Sequence, residues 1–429
     1  MKKLLLILLL SPLFLNAQIG MTLQKRTVNN PFVSTWDTTN IDGFSTGIDT
    51  VQLPLLSSGG NYDFTVDWGD GSSSTVTNAT LINATHQYSI AGVYTITIEG
   101  LLNGWAFNKL VDKLKILDIS QWGILEGAGK QAFYGCQNLD VSATDVLDIS
   151  GITDFSYQFA NCISLTSLDV STWDVSQGTN FSAQFQYCNS LTSLDVSNWN
   201  VSQGSNFSYQ FWNCVSLTSL DVNNWDVSQG IFFNHQFSNC SSLTSLDVSN
   251  WDVSQGTNFA YQFSSSSSLT SLDVSTWDVS QGTTFAYQFL NCSSLTSLDV
   301  STWDVSQGTS FIGQFNGCEL LTSLDVSNWD VAQGTNFRSQ FYKCTSLTNL
   351  DVSTWDVSQG TNFITFMFGT TMQTAIYNQT LINWEALTLQ PGQSIDFGNS
   401  TYTLGGAAEI ARTNIIVNDG WTIADGGGL

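Results

Sequence analysis

The residues of this 429-residue chain that could do chemistry are two histidines, eight cysteines and a large excess of carboxylates, 35 Asp and Glu against 11 Lys and Arg. The histidines, His86 and His235, stand 149 positions apart, and neither lies in a nucleophile elbow, a phosphate-binding loop or a dinucleotide-binding glycine pattern. Asp67 and Asp70 flank Trp68 closely, and that spacing reads as a tight β-turn rather than an acid–base pair. The expectation is that the chain is not an enzyme.

The cysteines are regular. Cys136, Cys162, Cys188, Cys214, Cys240, Cys292, Cys318 and Cys344 follow one 26-residue spacing, with Ser266 in the missing place. Equivalent side chains on successive coils point the same way and stay about 4.8 Å apart, whereas a disulfide needs Cβ atoms about 3.8 Å apart. Ser266 also divides the row into five and three, both odd. Buried free thiols acting as small hydrophobes are expected. Zinc lacks the usual paired-cysteine or Cys/His spacing.

Three further rows share the period. Asp169, Asp195, Asp221, Asp247, Asp273, Asp299, Asp325 and Asp351, extended by Asp118 and Asp148, should face outward among serines. Neighbouring carboxylates about 4.8 Å apart repel by roughly 0.9 kcal/mol even in bulk water. The row is therefore a solvated ladder or a surface that recruits a cationic ligand or weakly bound calcium, and it is the candidate binding site. No other cofactor is implied. A second acidic row, Asp174 to Asp356, accepts Asn200 in one rung, which fits a carboxylate capping backbone two residues on. The tryptophans, Trp173 to Trp355, sit two positions before an inward valine, so core packing is expected over an exposed polysaccharide strip.

The elements that would position these rows follow from the repeat itself. Leu-Thr-Ser/Asn-Leu-Asp-Val begins at Leu165, Leu191, Leu217, Leu243, Leu269, Leu295, Leu321 and Leu347, with degenerate copies at Leu114 and Leu147. In one unit Leu165, Leu168, Val170 and Val175 give a strand and bend, with Leu168 and Val170 inward and Ser167, Asp169 and Ser171 outward. Phe181, Phe185 and Cys188 then fall at i, i+4 and i+7, which predicts a short helix capped by Thr179 or Asn180. No coil can bury its apolar side alone, so the coils must stack. Ten would build a parallel sheet roughly 43 Å long.

The unit FxxCxSLTSLDVSxWDVSQGTNF resembles the BspA-type leucine-rich-repeat surface proteins of bacteria, over residues 133–366. Trp173 and Gln184 depart from that pattern, where a smaller aromatic and Met are common. The resemblance implies a repeat solenoid, a parallel β-sheet with short helices on the convex side, and a role in surface display and adhesion. Residues 18–102 lack the period. Their Trp68-Gly69-Asp70-Gly71-Ser72, His86-Gln87-Tyr88 and Gly92-Val93-Tyr94-Thr95 resemble the polycystic-kidney-disease (PKD) type of immunoglobulin-like sandwich. Residues 103–132 are the expected junction and first coil, and 367–429, with Trp384, Phe397, Tyr402 and Trp421 in strand-like pieces, the C-terminal cap.

Residues 1–17 read as a signal peptide: Lys2 and Lys3, an apolar run broken by Ser11 and Pro12, then Leu15-Asn16-Ala17. Its removal leaves 35 acids against 9 bases. That imbalance argues against nucleic acid and against anionic membranes, and no later segment reads as a membrane helix. The expected product is a secreted or cell-surface protein that presents its Ser/Asp face to a protein partner; a carbohydrate- or calcium-binding module is the alternative. Thiol titration of the unfolded, unreduced chain should find most of the eight cysteines reactive, whereas none reactive would mean the row is cross-linked.

Overall fold

The computed structural model describes residues 30–79 and 83–429; the signal-peptide segment lies outside them. The described residues are mostly β and turn, with two helices near the end of the chain. Among the described residues no helix is long and apolar enough to cross a membrane.

The first part holds β1 (Phe32–Asp37), β2 (Thr50–Gln52), β3 (Asn61–Asp67), β4 (Ser73–Val76), β5 (Thr85–Gln87) and β6 (Val93–Asn103). β3 alternates exposed and buried residues without a break, Tyr62, Phe64 and Val66 facing in, as a strand covered on one side must. β2 and β5 form a separate antiparallel pair. The larger sheet does not end at residue 102. β1 pairs antiparallel with β6 and with β7 (Ile116–Gln121), β8 (Leu125–Glu126) pairs with β6, and β7 pairs in parallel with β9 (Asp140–Val141). The first degenerate repeat, LKILDIS, is thus a strand of the N-terminal sheet, and one apolar core runs from Phe32 to Trp421.

From Asp154 onward, 26-residue coils stack in register. Parallel bridges join Asp154 to Asn180, Asn180 to Asn206, Asn206 to Phe232, and so on to Asn362. The linking segment is the one that reads as a helix in the sequence, and no helix forms there. Ala183 and Tyr187 lie at φ 55° and 60°, and the equivalent positions are left-handed in coil after coil. The N–H groups of Phe181, Ala183, Phe185 and Tyr187 donate to carbonyls of the next coil at 2.8–2.9 Å, while those of Gln184, Gln186 and Cys188 close turns on the carbonyl three residues back. A helix would turn the donors beyond its first turn onto its own carbonyls and leave the coils unlinked along this side. The i, i+4, i+7 residues do face inward, so the spacing signalled burial correctly and conformation wrongly.

The continuous parallel sheet expected along Leu-Thr-Ser-Leu-Asp-Val is also absent. Only β10 (Ser193–Leu194) and β11 (Ser219–Leu220) pair there, and elsewhere single bonds such as Thr270 N–H to the Thr244 carbonyl join the coils. The Asp169 carboxylate accepts the Ser171 N–H, and Trp173 N–H closes a turn on the Val170 carbonyl. Such local bonds compete with a sheet ladder and cut the extended run short. Gly178 and its equivalents are required for space: a Cβ on Gly178 would lie 2.5 Å from the Phe181 ring and 2.9 Å from the Val175 carbonyl.

The last coil is covered by α1 (Thr374–Glu385), β12 (Ser394–Asp396), α2 (Ala407–Asn418) and β13 (Thr422–Ala424). This corrects the reading of the cap as strand-like pieces, since Trp384 lies on α1. β12 and β13 are parallel, and Phe363 of the final coil bridges to Ile395.

The left-handed turns give a sharp test. Ala183→Gly removes a Cβ from an αL position, so it should raise stability by about 0.5–1 kcal/mol in denaturant melts. A loss of about 1 kcal/mol, the helix-interior result, would overturn the turn assignment.

Candidate functional site

The outward row from Asp169 to Asp351 is assembled as the sequence suggests. Ser245, Asp247, Ser271, Asp273, Ser297, Asp299, Ser323 and Asp325 line an open groove of 910 Å³ floored by Leu246, Leu272 and Leu298. Adjoining hollows of 440 Å³ and 380 Å³ carry the same face through Asp221 and Asp195 to Asp169. The floor leucines are almost fully buried. The face therefore presents carboxylates and hydroxyls over a thin apolar base.

Each carboxylate is held by its own turn. Asp247 accepts the Ser249 N–H at 3.1 Å and the Ser249 hydroxyl at 2.7 Å, and Asp169, Asp195, Asp273, Asp299 and Asp325 repeat both bonds. Asp221 and Asp351 accept the backbone bond of the residue two on. The Ser249 hydroxyl, then its N–H, holds the Asp247 carboxyl below the ordinary 3.8, and Asp169 and Asp299 are lowered by the same pair of bonds. The second acidic row caps in the same way, Ser176 N–H to Asp174 and Ser202 N–H to Asn200. Turn capping was read from the sequence for the second row alone, and it belongs to both. Asp118 serves differently, accepting the N–H and hydroxyl of Ser142 on the following coil. Among the described residues no group of three or more His, Cys, Asp or Glu is close enough to hold a metal ion.

The remaining rows are interior. All eight cysteines are free and buried, and each Sγ from Cys162 onward points at a phenylalanine carbonyl 29 residues earlier. Ser266 gives that bond from its hydroxyl, to the Phe237 carbonyl at 2.9 Å, which is why serine is tolerated in the row. Burial pushes the Cys240 thiol up to about 12. The tryptophans are core, with neighbouring rings parallel and 6.1–6.4 Å apart, and from Trp199 onward each indole N–H donates to a valine carbonyl of the previous coil. In the first part, Asp67 and Asp70 accept the N–H of Gly69 and Ser72, as a tight turn requires. The Ser72 hydroxyl and His86 hold Asp70 down to about 2, and His86 stacks on Trp68.

Sequence reasoning missed two interior features. Gln158, Gln184, Gln210 and their equivalents up to Gln340 are fully buried, several donating an amide N–H to the glutamine one coil back. The departure from Met at Gln184 was their only sign. Asp112 and Lys115 form a fully buried ion pair at 2.9 Å, Lys115 also donating to Thr46, Gly47 and Thr50, and Asp112 accepting the N–H groups of Thr46 and Gln52. The charge cluster in VDKLKILD, within so charge-poor a chain, was the available signal.

Asp247→Asn keeps the acceptor for Ser249 and should leave stability unchanged or slightly raised, whereas Asp247→Ala should cost about 0.5–1.5 kcal/mol in urea melts. Because the folded carboxyl is lowered, the ionised cap contributes above the ordinary 3.8 and its contribution is lost as pH falls through the lower folded value. Equal stability of the Asn and Ala variants at neutral pH would exclude the capping role.

Three overlapping stretches, 128–246, 216–323 and 283–395, match the family model described as "Mycoplasma protein of unknown function, DUF285". No curated protein matches the chain, and no solved structure does. The matches fall on the stacked 26-residue coils and the start of their cap, and together they span more than half of the residues, so the chain belongs to the DUF285 repeat family.

Proposed function

We propose that this protein is an exported, surface-displayed binding protein, a leucine-rich-repeat-like solenoid of BspA type carried on a PKD-like sandwich, whose Ser/Asp groove takes a basic patch of a protein partner. The observation that carries this reading is the uninterrupted carboxylate row along an open groove, with no basic side chain among the lining residues. Residues 1–17 supply the export signal, and the 35 acids against 9 bases that remain after its removal supply long-range attraction for a cationic surface. The groove suits recognition rather than catalysis: it offers carboxylates and hydroxyls engaged in turn caps, with no nucleophile–base pair among them.

Association with such a partner should be fast and salt-sensitive, since exposed charges are screened within about 8 Å at physiological ionic strength. The test is capture of a panel of basic and acidic extracellular proteins by the immobilised mature chain at low and high salt. It is run beside the variant carrying Asn at Asp195, Asp221, Asp247, Asp273 and Asp299. Basic proteins should be retained at low salt and released at high salt, and the variant should bind them at least about tenfold more weakly, ~1.4 kcal/mol, while folding as well as the parent. Unchanged capture by the variant would remove the groove as the site.

A further inference from the structure

The side of the coils opposite the groove carries a second surface. There the turn segments send Phe181, Phe185 and their equivalents inward against the tryptophan row and, from Tyr209 to Tyr287, leave the residue midway between the two phenylalanines half-buried at the surface. In the central coils these outer residues are aromatic. Tyr209, His235, Tyr261 and Tyr287 lie one above the other with ring centroids 4.4–4.7 Å apart and planes within 26°. Trp212 stands out of that column. It is tilted 54–60° against Tyr187, Tyr209 and His235 at 4.8–5.6 Å. All six are half-buried.

Two properties limit what this face can hold. It is uncharged: segments 179–190, 205–216, 231–242, 257–268 and 283–294 contain no Asp, Glu, Lys or Arg, in a chain with 35 acids. Burial holds His235 down to about 4, so its ring is neutral at physiological pH. The face is also rich in unused polar groups. The hydroxyls of Tyr187, Tyr209, Tyr261 and Tyr287 and the Trp212 indole N–H have no hydrogen-bond partner among the described residues, and Gln186 and Asn234 lie beside them at the surface. The stacked rings cover one another's faces and so offer edges and hydroxyls. Trp212, outside the column, makes only tilted contacts with its ring neighbours, so neither of its faces is stacked on another ring.

We propose that this face binds a neutral polysaccharide lying along the stack axis, with Trp212 as the platform for a sugar ring and the tyrosine hydroxyls and side-chain amides as its hydrogen-bond partners. A flat aromatic surface beside neutral donors and acceptors complements a pyranose, which has an apolar C–H face and a rim of hydroxyls. Polyanionic glycans would be repelled by the net charge, and a basic protein finds no carboxylate here to pair with. The site is separate from the Ser/Asp groove and does not depend on it.

Affinity electrophoresis of the full mature chain through gels containing soluble β-glucan, xyloglucan, glucomannan or dextran, with polygalacturonate as the anionic comparison, tests the proposal. Trp212→Ser and Tyr261→Ala are suitable variants, because Ser238 and Ala183 occupy the same rungs in other coils, so the fold accepts both. At least one neutral polysaccharide should retard the parent. Trp212→Ser should weaken that binding by about tenfold or more, and Tyr261→Ala should weaken it less. The five-Asn groove variant should bind as the parent does. A change in tryptophan fluorescence on binding should vanish in Trp212→Ser. No retardation by any neutral polysaccharide in the panel, or full retention of binding by Trp212→Ser, would overturn the proposal.

Discussion

The structure depends on columns of backbone hydrogen bonds that run from coil to coil. The peptide between Asn180 and Phe181 accepts from Phe155 through its carbonyl and donates to Asn206 through its N–H, and the next peptide in the column repeats this. Four such columns pass through the segment from Asn180 to Tyr187, all with N–H directed toward the C-terminal cap. At a net value of about 1 kcal/mol each, four bonds per interface are a substantial link between neighbours. Their geometry admits one register only, because a slip by one residue would place a turn-closing N–H where a donor to the next coil is needed.

A fixed register turns every position into a row, and each row has to be satisfied by its own copies. Phenylalanine and tryptophan rings stack, cysteine and tryptophan donate to carbonyls 29 residues back, and buried glutamines pair with one another. The same rule puts like charges side by side along the groove. There each carboxylate is tied to a backbone N–H and, in most rungs, a serine hydroxyl of its own turn, which offsets part of the repulsion. The end of the stack needs substitutes for a missing coil. Trp384 of α1 donates to the Val352 carbonyl as the next row tryptophan would, and Thr370 donates to the Phe341 carbonyl in the place of the next cysteine. At the other end, β7 is both the first repeat strand and the neighbour of β1, so the N-terminal sheet covers the opening coil.

Both faces of the stack are consequences of these rows. Residues with inward partners are determined by packing, while the outward positions are free to differ, and the two proposed sites use that freedom in opposite ways. The groove repeats Asp and Ser with little variation, whereas the turn-side face varies from Tyr209 to Gly313 along one row. A uniform charged row suits a partner attracted over distance. A local cluster around Trp212 suits a ligand that is recognised by contact.

The sequence alone determined the period, the inward residues and the outward aspartates, because burial alternates with side-chain polarity and a strict 26-residue repeat places each type in a row. Free cysteines and a core tryptophan row were legible for the same reason. Backbone conformation was not. Phe181, Phe185 and Cys188 carry helical spacing, yet Ala183 and Tyr187 are left-handed, since the donors of this segment are worth more as links to the next coil than inside a helix. The sheet expected through Leu168 is reduced to the Ser193–Leu194 and Ser219–Leu220 pair, and the local Asp169–Ser171 bond closes the extended run just after it. The buried Asp112–Lys115 pair and the aromatic column over His235 join residues from different elements or different coils. Their proximity exists only once the chain has stacked, so tertiary structure alone decided them.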